Sequence, residues 1–170
     1  MEKRTMNTKE LFEEFTIKIY EAPLNEYREN GNIRDLSNPI SVVMLVIDFD
    51  TEVTMNGICD YIGNNTGRFS IEIVAALKEI GCQSYAEKLQ NIQNIATTAG
   101  MTYQTIQQER SGATQYSVTS FSELHGEKWS TASEEMESIA SEINSNEMRA
   151  RAEMFVSDHV DAFRRALELK

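Results

Sequence analysis

Apolar residues recur along most of this chain at the three-and-four spacing of a helix, and the pattern breaks at Asn, Gly and Pro. Leu11, Phe12, Phe15, Ile19 and Tyr20 form the first stripe. Asn7 opens it with Glu10 at capping-box spacing, and Pro23 stops it. A short helical turn over residues 25–29 should end on the left-handed cap Asn30-Gly31. Asn38 then caps a helix with Pro39 in its first position, where a missing amide costs nothing. Residues 40–53 are apolar nearly all round, which predicts a central, largely buried helix. A short apolar piece follows Gly57, and residues 63–67, Gly-Asn-Asn-Thr-Gly, break the chain again. Ser70 opens a helix carrying Ile73, Val74, Leu77 and Ile80, closed by Gly81; Ser84 opens another with Tyr85, Leu89, Ile92 and Ile95, closed by Gly100. Two amphipathic helices so closely joined predict an antiparallel helical hairpin.

Residues 110–122, rich in Ser, Thr and Tyr and half alternating, read as a small hairpin or a loop. Helices are predicted over residues 131–143 and, longer, over 146–169, the latter striped by Phe155, Val156, His159, Val160, Phe163 and Leu167. The expectation is an all-α, compact multi-helix single domain spanning residues 1–170. It comprises a core at 36–100 and an acidic C-terminal helical hairpin at 123–170. At this length no metal or disulfide is needed to hold the fold.

Charge narrows the function. The chain carries a formal −11, with −5 falling in residues 123–170, −4 in 36–81 and none in 82–122. Nucleic acid and anionic membranes both reward Lys and Arg, so direct binding to either is disfavoured. The longest apolar run is far short of a membrane span and no leader pattern opens the sequence, so a soluble cytoplasmic protein is expected. Cys59 and Cys82 read as inert thiols in a reduced compartment.

Catalytic chemistry finds little footing. His125 and His159 lack a second ligand at metal spacing, and His159 lies on an apolar stripe as a structural histidine would. Residues 64–67 lack the lysine and glycine spacing of a phosphate loop. Asp48, Asp50 and Glu52 lack a calcium-loop pattern, and on a helix Asp50 points away from the other two. The expectation is no enzyme, no cofactor and no metal. The carboxylates themselves are the candidate feature. Glu134, Glu135 and Glu137 suit the first turns of their helix electrostatically. Asp48, Asp50 and Glu52 have no such explanation if the helix ends near residue 53, because negative charge is disfavoured at a C-terminus. These six, with Glu142, form the expected partner-binding surface.

The segment from residue 49 to 86 carries a resemblance. Glu52-Val53, Asn56-Gly57, Tyr61, Asn64, Gly67, Ala76-Leu77, Ile80-Gly81 and Ala86 resemble a bacterial DNA-mimic-protein-like domain of unknown function. The chain departs from that family's pattern at Thr54-Met55, Asn56, Ile58, Asp60 and Ile62, where the family has Asn-Asn, Gly, Phe, Gln and a second aromatic. The resemblance implies an all-helical fold and, more remotely, DNA mimicry. Asn56, Gly57, Tyr61, Asn64, Gly67 and Gly81 are expected to shape turns, the glycines through left-handed backbone. The expected partner is a basic protein: a DNA-binding regulator, a nuclease or, for an immunity-type inhibitor, a toxin. A divergent metal-dependent hydrolase is the alternative from another class, and self-association as a homodimer is left open.

Overall fold

The computed structural model describes residues 6–112 and 126–168, and every regular element among them is helical. Chain order runs α1 (Thr8–Lys18), α2 (Leu24–Glu29), a 3-10 turn (Asn32–Arg34), α3 (Pro39–Gly63), a second 3-10 turn (Asn65–Phe69), α4 (Ser70–Glu79) and α5 (Gln83–Ala99). It continues through α6 (Tyr103–Gly112), α7 (Glu127–Ala140), α8 (Ser145–Asp158) and α9 (Val160–Glu168). The fold is all-α.

Several local signals act as their chemistry dictates. Asn7 and Glu10 close a reciprocal capping box on α1. Asn38 accepts the Ile40 amide at 3.1 Å with Pro39 behind it. Past α4, Gly81 turns left-handed at φ 80° while the Cys82 amide reaches back to the Leu77 carbonyl at 2.8 Å, a Schellman closure. Neither expected serine cap forms: Ser70 is already inside α4, and α5 begins one residue before Ser84 without a side-chain cap.

Helix α3 is the axis of the molecule. Nearly all of its first three turns are buried, from Ile40 to Asp50, and α4, α7, α8 and the second 3-10 turn pack around it. It does not stop near residue 53. It runs to Gly63 with a break at Gly57, whose φ of 81° and ψ of 169° are essentially glycine-only. The break is sharp. Twelve residues of straight helix would set Phe49 and Tyr61 about 18 Å apart, yet their rings meet edge to face with centroids 5.1 Å apart. Both are fully buried.

α4 and α5 form the expected antiparallel pair. The C-terminal third differs from expectation. The long helix breaks at His159 into α8 and α9, the His159 ring stacking on Phe155 with Nδ1 2.8 Å from the Phe155 carbonyl. That bond satisfies His159 locally and marks it as structural. α7 and α8 do not pair chiefly with each other as a hairpin: α7 packs on α5 and α3, α8 on α3 and α1. α9 returns to α1, where Phe163 meets Phe15 edge to face at 4.8 Å. Helix α6 occupies residues for which the sequence analysis predicts no element, and its last turn takes in the start of the expected 110–122 hairpin or loop. His125 and most of the 110–122 hairpin or loop fall outside the described residues.

Candidate acidic interaction surface

The acids of α3 are not at the surface. Asp48 is 3 % exposed and accepts two hydrogen bonds from Arg28, at 2.8 Å and 2.9 Å. Arg28 is itself buried, donates a third bond to Asn25 at 2.7 Å and lies under the Tyr20 ring. Burial pushes the Asp48 carboxyl above the usual carboxylate value, and the Arg28 charge only partly opposes it. Asp50 is equally buried, 5 % exposed, and pairs with Arg149 of α8 at 3.2 Å. Both were expected on the partner-binding face. They are internal instead, because α3 continues past them and their charges are met by cations from α2 and α8.

Glu52 is half-buried and spans the helix break. Its Oε2 accepts from Asn56 at 3.2 Å before the break and from Asn64 at 2.7 Å after it. Glu137 supports the same feature from outside. Its Oε1 accepts the Ile58 amide at 3.2 Å, the first amide of the helical piece that restarts after Gly57. A carboxylate at a helix start is well placed electrostatically. The first half of the resemblance motif is therefore one joint: Glu52, Asn56, Gly57 and Asn64 hold the bend with Glu137 of α7, and Tyr61 fills the space beneath it.

Gly67 serves the joint differently from expectation. Its backbone is not left-handed. A Cβ there would come within 2.4 Å of the Ile62 carbonyl oxygen and 2.5 Å of that of Tyr61, so glycine is required by close approach of backbone to backbone.

The remaining predicted acids are exposed. Glu134 and Glu135 stand on α7 and Glu142 lies just past its end, pairing with Lys88 of α5. Glu127, in the first turn of α7, is also exposed and escaped the sequence reading, which began this helix four residues later. Seven residues apart, Glu127 and Glu134 share a face with about 10 Å of rise between them. Their neighbourhood holds an open groove of about 600 Å³ between α5 and α7, floored by Ile95, Ala99 and Ala132, with Glu127 and Glu135 among its edges. The chain's one tryptophan, Trp129, donates its indole N–H to the Ala99 carbonyl at 2.9 Å beside this floor.

Other chemistry is sparse. Among the described residues no group of three or more His, Cys, Asp or Glu is placed to hold a metal ion, and no helix is long and apolar enough to cross a membrane. Burial raises both thiols, Cys59 and Cys82, which disfavours the nucleophilic thiolate.

The profile of the DMP19-like protein family, that of DNA mimic protein 19, matches residues 34–166. The chain belongs to this family. The match reaches well beyond the segment that carried the resemblance and takes in α7, so the joint and the acidic helix are parts of one family domain. No characterised protein and no solved structure matches the chain at a significant level.

Proposed function

We propose that this chain is a non-enzymatic DNA mimic: a protein that occupies the basic surface of a DNA-binding protein with carboxylates in place of phosphates. Membership of the DMP19-like family over residues 34–166 is the observation that carries the reading. The exposed acids of α7 support it. Glu127, Glu134 and Glu135 present negative charge on one rigid helix, with Glu127 and Glu134 two turns apart on a shared face and about 10 Å of rise between them. DNA offers one charge per roughly 3.4 Å of axis on each strand, so a few helical carboxylates can meet cations set for phosphates. Asp48 and Asp50 have no part in this surface.

The test is competition. A basic DNA-binding protein recovered with this chain from the native host should release it when its DNA duplex is added. Neutralising Glu127, Glu134 and Glu135 to Gln should slow association and flatten its salt dependence. A control neutralised at the exposed Glu14 and Glu26, on the far side of the chain order, should associate normally. A partner that holds DNA and this chain at once would sink the reading.

A further inference from the structure

We propose that the groove between α5 and α7 is a docking site for a basic amphipathic helix of the partner protein, so that binding has an apolar anchor as well as an electrostatic rim. The inference rests on the reading that the α7 carboxylates face a basic partner, and adds what they frame. The floor is Ile95, Ala99 and Ala132, small or half-buried apolar positions that leave room for a larger side chain from outside. Its walls are the exposed Thr98 and Thr131. DNA has no counterpart to such a floor; a protein surface does.

Three observations fix the occupant. First, the carboxylates Glu127 and Glu135 edge the groove at positions about 12 Å apart along α7, with Glu134 adjacent; Lys128, the one cation of that helix, also lines it, and the carboxylates remain in excess. That sign calls for Lys or Arg flanking the apolar anchor. Second, both walls are helices, whose backbone groups are bonded internally, so among the described residues the groove offers no open sheet edge for an extended strand to pair with. The occupant must satisfy its own backbone, as a helix does. Third, the groove spans about two helical turns of α7, enough for anchors spaced three, four and seven residues apart. A buried apolar centre within a charged rim is also the general anatomy of a specific protein interface.

Three synthetic basic peptides of equal charge provide the probe. One is a helix with leucines on one face and lysines on the other; the second has that composition scrambled; the third replaces every leucine with serine. Trp129 emission and calorimetry read binding. The amphipathic peptide should bind about tenfold tighter than the scrambled one, shift the Trp129 emission and keep part of its affinity at high salt. Thr131→Phe, or Thr98→Phe on the opposite wall, should remove that tenfold preference and leave the serine peptide unchanged. Glu127→Gln with Glu135→Gln should weaken all three peptides. Equal binding of the amphipathic and scrambled peptides would overturn the groove, as would wall variants that bind like wild type with unaltered circular dichroism. A homodimer that either wall variant dissociates would overturn it too, by making a second copy the occupant. Charge variants that leave every peptide unaffected would instead strike the mimicry reading, so the two failures are distinct.

Discussion

The acids of α3 and the acids of α7 look alike in sequence and lie in different worlds. Asp48, Asp50 and Glu52 follow an apolar run; Glu134, Glu135 and Glu137 sit in a polar helix. The first set turned inward: Asp48 to Arg28, Asp50 to Arg149, Glu52 to two asparagines. Of the second, Glu134 and Glu135 face water and only Glu137 is recruited to hold backbone. The difference teaches that an acid on an otherwise buried helix points first to an internal cation. Buried charge persists only when paired and hydrogen-bonded, so its partner exists somewhere in the fold, however distant in sequence.

The strongest test of that contrast removes one half of a buried pair. Arg28→Met should lower stability by about 3–5 kcal/mol, because the Asp48 carboxylate stays buried without its counter-charge. Urea midpoints would measure it. The two halves should not be equivalent. Asp48 is raised above its ordinary 3.8 even with Arg28 present, so it can shed its charge by binding a proton, whereas Asp48→Asn leaves the buried Arg28 guanidinium charged and without its counter-ion. The pH dependence has a definite sign. A carboxyl raised by folding binds its proton more tightly in the native state than in the unfolded chain. Its contribution is full below the unfolded value and is lost as pH rises through the folded one. Arg28→Met should steepen that loss, and adding Asp48→Asn should abolish it. An identical response of the two single variants to falling pH would contradict this account.

Next in size is Gly67→Ala, at about 3 kcal/mol, the upper end of ordinary overpacking, because the new carbon meets two carbonyl oxygens and not a yielding side chain. Thermal denaturation would show it. Gly81→Ala offers a calibrating contrast: nothing lies within 4 Å of its added carbon, and only the left-handed backbone resists. It should cost roughly 1 kcal/mol. A Gly67→Ala penalty no greater than that of Gly81→Ala would mean the joint can relax.

What could be read from sequence was what depends on neighbours in the chain. The Asn7 box, the Asn38-Pro39 start, the Gly81 and Gly100 ends and the all-helical class rest on local rules of spacing and capping. What could not be read depends on residues far apart. Arg28 lies 20 residues from Asp48, Arg149 lies 99 from Asp50, and Glu137 lies 79 from Ile58. The bend at Gly57 belongs to the same class. Asn and Gly announced a turn there, but the resumption of helix beyond it depends on Glu52 and Glu137 bracketing the break. With α3 ended too early, its acids appeared to sit at an unfavourable helix end. The groove was invisible because its two walls come from separate regions of the chain.

Glu137 sharpens the boundary within α7 itself. Glu137→Gln keeps the shape and an acceptor oxygen but loses the charge; Glu137→Ala loses the acceptor as well. The alanine variant should cost about 1 kcal/mol, in the range of a lost helix cap, and the glutamine variant less. Amide exchange at Ile58 would localise the effect, since its protection depends on that carboxylate. Unchanged exchange in the alanine variant would remove Glu137 from the joint.

The smallest stability effect belongs to the acids proposed for function. Glu134→Gln with Glu135→Gln removes two exposed charges, neither of which makes an ion pair among the described residues. Substitutions of this kind ordinarily move stability by no more than about 0.5 kcal/mol. Relief of repulsion among neighbouring acids is the one term in play, because α7 begins at Glu127 and so places Glu134 and Glu135 in its third turn, past the reach of the helix N-terminus. The denaturation midpoint should hardly move, while association with a basic partner slows and its salt dependence flattens, because exposed charges act mainly on encounter. That combination is the reverse of the one expected for Arg28→Met, which should damage folding first and binding only through folding. A double variant that unfolds readily would mean that Glu134 and Glu135 are held inside the structure as Asp48 and Asp50 are. The contrast between the two acidic regions would then collapse.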